Sequence, residues 1–139
     1  MRTNEHWQTQ FDDKRIPYRW DRFPANMLEI NPKDAANRGI ESGDLVKVEN
    51  DQVLTQTGSR YAGKFEALAY VTDQVPPGVT ASYFNFNQGA LETSANSVVP
   101  GITDPINNRY RYKLGKGRIT RIGPSELKDK LSFVPRNIA

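Results

Sequence analysis

Apolar residues fall along this chain in short clusters separated by polar, turn-forming stretches. Met27-Leu28-Glu29-Ile30 is the first compact cluster and predicts a short strand. Leu45 to Glu49 is the next. Between them stands the most informative segment, Asn31 to Val48. Asn31 can cap orphan backbone N–H groups, and Pro32 suits a first helical position. Gly39 can take the left-handed conformation that ends a helix, and Gly43-Asp44 supports a turn before Leu45, Val46 and Val48. Helix, turn and strand are thus expected within eighteen residues, Asn31 to Val48.

Further along, Asn50-Asp51 reads as a turn, and Val53 to Thr57 as a polar strand or loop. Gly58 to Gly63 reads as a loop. Lys64 to Thr72, with Phe65, Leu68 and Val71, predicts a strand with a buried centre. Pro76-Pro77-Gly78 breaks the chain, and Val79 to Phe86 alternates like another strand. Gln88 to Pro105 is irregular. Arg118 to Ile122 alternates like a final strand, and Ser125 to Leu131 can form a short helical turn. Many short strands with one clear short helix predict a mainly β domain of barrel type. The expected organisation is an aromatic-rich N-terminal arm over residues 1–25, a barrel over 26–122 and a tail over 123–139. The arm carries Trp7, Phe11, Tyr18, Trp20 and Phe23 without helical or strand period. It either packs on its own barrel or faces a ligand.

Composition narrows the classes. The 139 residues suffice for one domain with a real core. A mean hydropathy of −0.69 and short apolar runs predict no membrane span. No secretory h-region is expected after Met1. Structured-looking sequence begins almost at once, so a domain cut from a longer polypeptide is expected. Without cysteine there are no disulfides, thiolate ligands or iron–sulfur ligands. The net charge of +3 is mild. It suits a phosphate-bearing ligand and is weak evidence for nucleic acid, for which no accompanying motif stands in the chain.

The catalytic inventory is thin. His6 is the only histidine, so neither a His/Cys metal site nor a serine triad can be assembled around it. Asp12-Asp13 are adjacent carboxylates, which on an extended arm point apart. No glycine-rich phosphate loop is present. Two polar segments stand out. Trp7-Gln8-Thr9 sets amide and hydroxyl groups beside an indole, as edge and face recognition of a flat heterocycle would need. The second runs from Asn87-Gln88 through Asn96 and Asp104-Pro105 to Tyr112-Lys113, where Lys113 offers a cation. On spacing alone the second segment reads more readily as loop residues capping turns, where Asn and Asp-Pro are common.

The segment Asn31 to Val48 resembles the NP-x-DA-x-x-x-GI-x-x-GD-x-V-x-V signature of the molybdopterin-dinucleotide-binding domain. That domain closes the C-terminal end of dimethyl-sulfoxide-reductase-family molybdoenzymes. Glu5-His6-Trp7-Gln8-Thr9 resembles the string that opens this domain in periplasmic nitrate reductases. Asn96, Asp104-Pro105-Ile106 and Tyr112-Lys113 resemble the run near its end. The arm, Arg2 to Glu5, Trp7 to Thr9 and Phe11 to Arg15, resembles the arsenite oxidase large subunit. Ser97-Val98-Val99 departs from the Leu-Thr that often follows the Asn, and Asn107 stands where Ser is frequent.

The resemblance implies a six-stranded double-psi β-barrel with short helices. It implies a bis-molybdopterin guanine dinucleotide contacted by Arg2, Trp7, Gln8, Thr9, Gln88, Asn96, Tyr112 and Lys113. The domain would bind and orient the cofactor, while the other domains of a large subunit supply the metal site and the redox chemistry. A Rieske-type small subunit and a periplasmic location follow if the parent is arsenite-oxidase-like. Two rival expectations stand beside this one. One is a stand-alone double-psi barrel binding module without redox activity. The other is a small complete enzyme using Lys113 or Asp12-Asp13.

Overall fold

The computed structural model describes residues 16–18, 24–83 and 94–130. Five strands form one mixed sheet: β1 (Met27–Ile30), β2 (Asp44–Leu54), β3 (Arg60–Val71), β4 (Thr80–Ser82) and β5 (Arg118–Pro124). Their spatial order is β4-β1-β3-β2-β5. β2 and β3 form an antiparallel hairpin, and β1 lies parallel to β3 with Met27 opposite Leu68 and Ile30 opposite Val71. The edge strands β4 and β5 run antiparallel to β1 and β2.

The link from β1 to β2 follows from its residues. Helix α1 (Pro32–Ala36) starts where the Asn31 side chain accepts the Lys33 N–H at 3.0 Å. The Asn31 amide also donates to the buried Val75 carbonyl at 2.8 Å, so one residue starts the helix and holds a distant loop. The helix ends in the pair of bonds that defines a Schellman motif, Ile40 N–H to Ala35 O (2.9 Å) and Gly39 N–H to Ala36 O (3.2 Å). Gly39 sits at φ +61°, as expected of it.

Strand periodicity puts alternate residues on two faces. Leu28, Ile30, Val46, Val48, Phe65 and Ala67 belong to the main core, which Ile40 and Val98 complete. Met27 and Leu68 face the other side with Ala25, against Leu45, Tyr83 and Leu127. β3 is covered on both faces, which is why Phe65 to Val71 reads as a nearly unbroken apolar run.

Three expectations are corrected. Asn50-Asp51 is no chain reversal: it lies inside β2, at a bulge between Asn50 and Val53. There the Asn50 side chain accepts the Gln52 N–H (2.9 Å), so its turn-forming capacity is spent on a local kink. The expected loop at Gly58 to Gly63 is shorter, because β3 already begins at Arg60. The reversal is Thr55 to Ser59, closed by Thr55 N–H to Ser59 O at 2.8 Å. β5 continues past Ile122 to Pro124. As for the barrel, the domain is mainly β with little helix, and the described residues form an open sheet of five strands. Among them neither a sixth strand nor pairing between β4 and β5 occurs.

Candidate functional site

The segment from Ser94 to Gly117, which leads into β5, packs on the β2–β3 hairpin and builds a groove. Its first part is a 3-10 turn, Ala95–Val98. Ser94 starts it, accepting the Asn96 N–H on its hydroxyl at 3.3 Å, and Val99 N–H closes it on Asn96 O at 3.1 Å. Val98 is buried in the main core, and Ser97 Oγ donates to the Lys64 carbonyl at 2.6 Å. With those two residues turned toward the sheet, Asn96 is left exposed. Gly101 N–H then bonds Leu54 O at 2.8 Å and ties the chain to the end of β2.

A small hairpin follows, with Thr103 bridged to Tyr110. Asp104 organises its tip. One carboxylate oxygen accepts the Ile106 and Asn107 N–H groups at 2.9 and 3.2 Å, and the other meets Arg111 at 3.5 Å. The two backbone donors, aided by Arg111, hold the Asp104 pKa below its ordinary value. The hairpin presents Tyr110 and Tyr112, whose rings lie 5.7 Å apart and tilted by 46°. Tyr110 also donates to Gln56 on the β2–β3 turn at 3.3 Å.

These pieces enclose a shallow groove of about 200 Å³ lined by Asn96, Val99, Pro100, Gly101, Tyr110 and Tyr112. The stretch of chain from Arg109 to Arg118 is rich in cations. Arg111 pairs with Asp104 and Arg118 with Glu49 (2.8 Å). Arg109, Lys113 and Lys116 have no carboxylate partner among the described residues. The chemistry fits a flat heteroaromatic group carrying phosphate. Asn96 can donate and accept at a ring edge, the tyrosine rings offer apolar faces, and the unpaired cations suit an anion. Among the described residues no cluster of three His, Cys, Asp or Glu side chains could hold a metal ion.

Of the residues singled out from the sequence, the fold brings Asn96 and Tyr112 into one groove. Lys113 follows Tyr112 and is exposed, but it does not line the groove. Arg2, Trp7, Gln8, Thr9 and Gln88 lie outside the described residues, as do Asp12 and Asp13. Tyr110 and Gln56 were missed. The pattern Tyr110-Arg111-Tyr112-Lys113 was the available signal for Tyr110, since its alternation sends both rings to one side. Nothing local marks Gln56, which reaches Tyr110 only through the fold.

A second polar centre lies elsewhere. The Asp44 carboxylate has no solvent exposure and meets Arg121 Nε at 2.6 Å, Lys128 at 3.2 Å and the Glu41 N–H at 2.9 Å. Burial works to raise its pKa, but Arg121, the Glu41 N–H and Lys128 overcome that and lower it to about 2. This centre joins the start of β2, β5 and the segment after β5. Its groups satisfy one another, so its role is structural.

The fold defines a mainly β domain whose groove offers one amide and two tyrosine rings. Residues 1–115 match the molydopterin dinucleotide binding domain, and the chain belongs to that family. It is 40% identical over 161 aligned positions to iodate reductase subunit IdrA of Pseudomonas sp. (strain SCT), covering 99% of this chain and 18% of that protein. It is likewise 40% identical to iodate reductase subunit IdrA of Denitromonas iodatirespirans, covering 99% of this chain and 17% of the relative. Arsenite oxidase subunit AioA of Herminiimonas arsenicoxydans is 33% identical over 90% of this chain and 13% of its own length. The chain therefore spans less than a fifth of the length of these relatives. The cofactor class expected from the sequence, a molybdopterin dinucleotide, is the ligand that defines the family. The specific likeness to arsenite oxidase is the more distant one, at 33% against 40% for the iodate reductase subunits.

Proposed function

We propose that this chain binds and orients a molybdopterin guanine dinucleotide as the C-terminal domain of a molybdenum oxidoreductase large subunit. The observation that carries the proposal is the meeting of Asn96 and Tyr112 in one groove, on a stretch of chain that also carries Arg109, Lys113 and Lys116. The Asn96 amide would bond the edge of a cofactor ring, with Tyr110 and Tyr112 excluding water at its flank. The three cations would neutralise the phosphates. When bound, the cofactor supplies the molybdenum redox centre, and this domain's part is placement. In the complete subunit the domain would be a six-stranded double-psi barrel, a reading that rests on the family resemblance.

The parent substrate is an inorganic oxyanion, and an iodate-reductase-like enzyme is the reading the 40% identities support. An arsenite-oxidase-like parent is the second reading, supported by the resemblance of the arm and by the 33% identity to AioA. We assign the parent to the periplasm, a reading that rests on the arsenite oxidase resemblance alone. Nothing in the fold or the relatives supports the Rieske-type subunit, and it forms no part of the proposal.

The test is Asn96→Ala and Lys113→Ala in the complete subunit, with molybdenum per protein measured beside thermal stability. Each loses one hydrogen bond or ion contact worth about 1.5–3 kcal/mol. Reduced molybdenum content at an unchanged melting temperature is the expected result. Full loading in both variants would return these residues to the role of loop and surface groups.

A further inference from the structure

The turn that carries Asn96 rests on β3 at a position where only glycine fits. An ideal Cβ on Gly63 would fall inside the van der Waals envelope of the Ser97 carbonyl oxygen, 2.7 Å from its carbonyl carbon and 3.2 Å from Val53 Cγ2. The first obstacle is backbone, so the overlap cannot be relieved by rotating a flexible side chain. Gly63 has no left-handed φ that would itself call for glycine. Inside a twelve-residue strand a glycine otherwise costs stability, which marks close approach as its reason. Ser97 Oγ bonds the carbonyl of the next residue, Lys64, at 2.6 Å, and Val98 is anchored in the core. The depth of the turn is thus set from below by Gly63, the Ser97 hydroxyl and Val98. Asn96, the residue before Ser97, is exposed and lines the groove with Tyr112.

We propose that Gly63 is a positioning residue for ligand recognition: its missing side chain seats the 3-10 turn low enough for the Asn96 amide to meet a ligand ring held against Tyr112. This rests on the groove being the cofactor-contacting surface. A recognition group keeps its productive geometry over only about 0.5 Å, and relief of the Gly63–Ser97 overlap moves the turn further than that. Gly63 touches no ligand; it acts through Asn96.

The experiment compares Gly63→Ala, Ser97→Ala and the control Gly123→Ala in the 139-residue chain, the control because a Cβ there meets nothing within 4 Å. Two quantities are read, with melting temperature beside them: the amide and side-chain NMR resonances of residues 94–99, and the affinity for guanosine diphosphate. This probe carries a flat base and a pyrophosphate. Gly63→Ala is expected to move the Asn96 resonances and to weaken binding at least about tenfold, the loss of roughly one good hydrogen bond. Ser97→Ala keeps the seat and loses one anchor, so binding falls severalfold. Gly123→Ala changes neither. A folded Gly63→Ala protein with wild-type Asn96 resonances and wild-type affinity overturns the proposal. If Gly63→Ala does not fold, Ser97→Ala decides, and unchanged resonances with unchanged affinity overturn it equally. If the wild-type chain gives no response to the probe, the cofactor reading of the groove fails, while the Asn96 resonances in the variants still decide the seating claim.

Discussion

At the scale of single residues, Asp44 and Gly39 show two different ways in which one position matters. Asp44 is wholly buried and carries charge only because Arg121, Lys128 and a backbone N–H surround it. Its folded pKa of about 2 lies below the ordinary 3.8, so the carboxylate's contribution is complete above about pH 4 and is lost as pH falls toward 2. At about 1.4 kcal/mol per unit, that contribution is on the order of 2 kcal/mol. Asp44→Asn should lower stability by about that amount in urea melts at pH 7, and the variant's stability should fall less steeply between pH 4 and 2. A variant as acid-sensitive as the wild type would contradict this account. Gly39 works through backbone alone. It sits at φ +61° with nothing within 4 Å of a Cβ, so a substitution meets no clash and pays only conformational strain. Gly39→Val should cost about 1 kcal/mol or more and Gly39→Asn clearly less, since Asn tolerates the left-handed region. Equal urea midpoints for the two variants would show that something other than φ governs the site.

The elements divide into those that local sequence writes out and those that only the fold assembles. Asn31, Pro32, Gly39 and Gly43 place the helix, its end and the next turn, because caps and left-handed glycines act within a few residues. The apolar clusters place β1 and the centre of β3 in the same way, and the alternation of Ile119 and Ile122 with polar residues places β5. The bulge at Asn50 was not legible, because an Asn that reverses the chain and one that kinks a strand carry the same local signal. The continuation of β2 is decided by pairing with Tyr61 and Arg60 across the hairpin. In the candidate groove, Asn96 and Tyr112 were marked in the sequence by their resemblance to a family motif. Tyr110 and Gln56 were not, since their meeting joins two hairpins 54 residues apart. The groove hairpin itself depends on Asp104, which satisfies two backbone N–H groups at its tip. Asp104→Ala should loosen that tip, raising amide exchange at Ile106 and Asn107 and weakening guanosine diphosphate binding, with little effect on the sheet. Unchanged exchange at both amides would show that the bridge between Thr103 and Tyr110 is sufficient.

At the scale of the whole molecule, the sheet is a platform and the segment from Ser94 to Gly117, packed on it, carries the candidate groove. The main core faces one side of the sheet and includes Val98 from that segment, so folding and site formation share one core. The residues that hold the molecule together, Asp44 with Arg121 and Lys128, lie apart from those that line the groove. Substitutions in the groove should therefore separate binding from stability. We propose that residues 94–113 contact a molybdopterin guanine dinucleotide. Amide hydrogen exchange of the complete subunit, with and without its cofactor and followed peptide by peptide, tests this. Cofactor-dependent protection is expected over Ser94 to Val99 and Thr103 to Lys113, with no change in β2 or β3 beyond the Thr55 to Ser59 turn. Equal exchange across Ser94 to Lys113 in the two forms would contradict it.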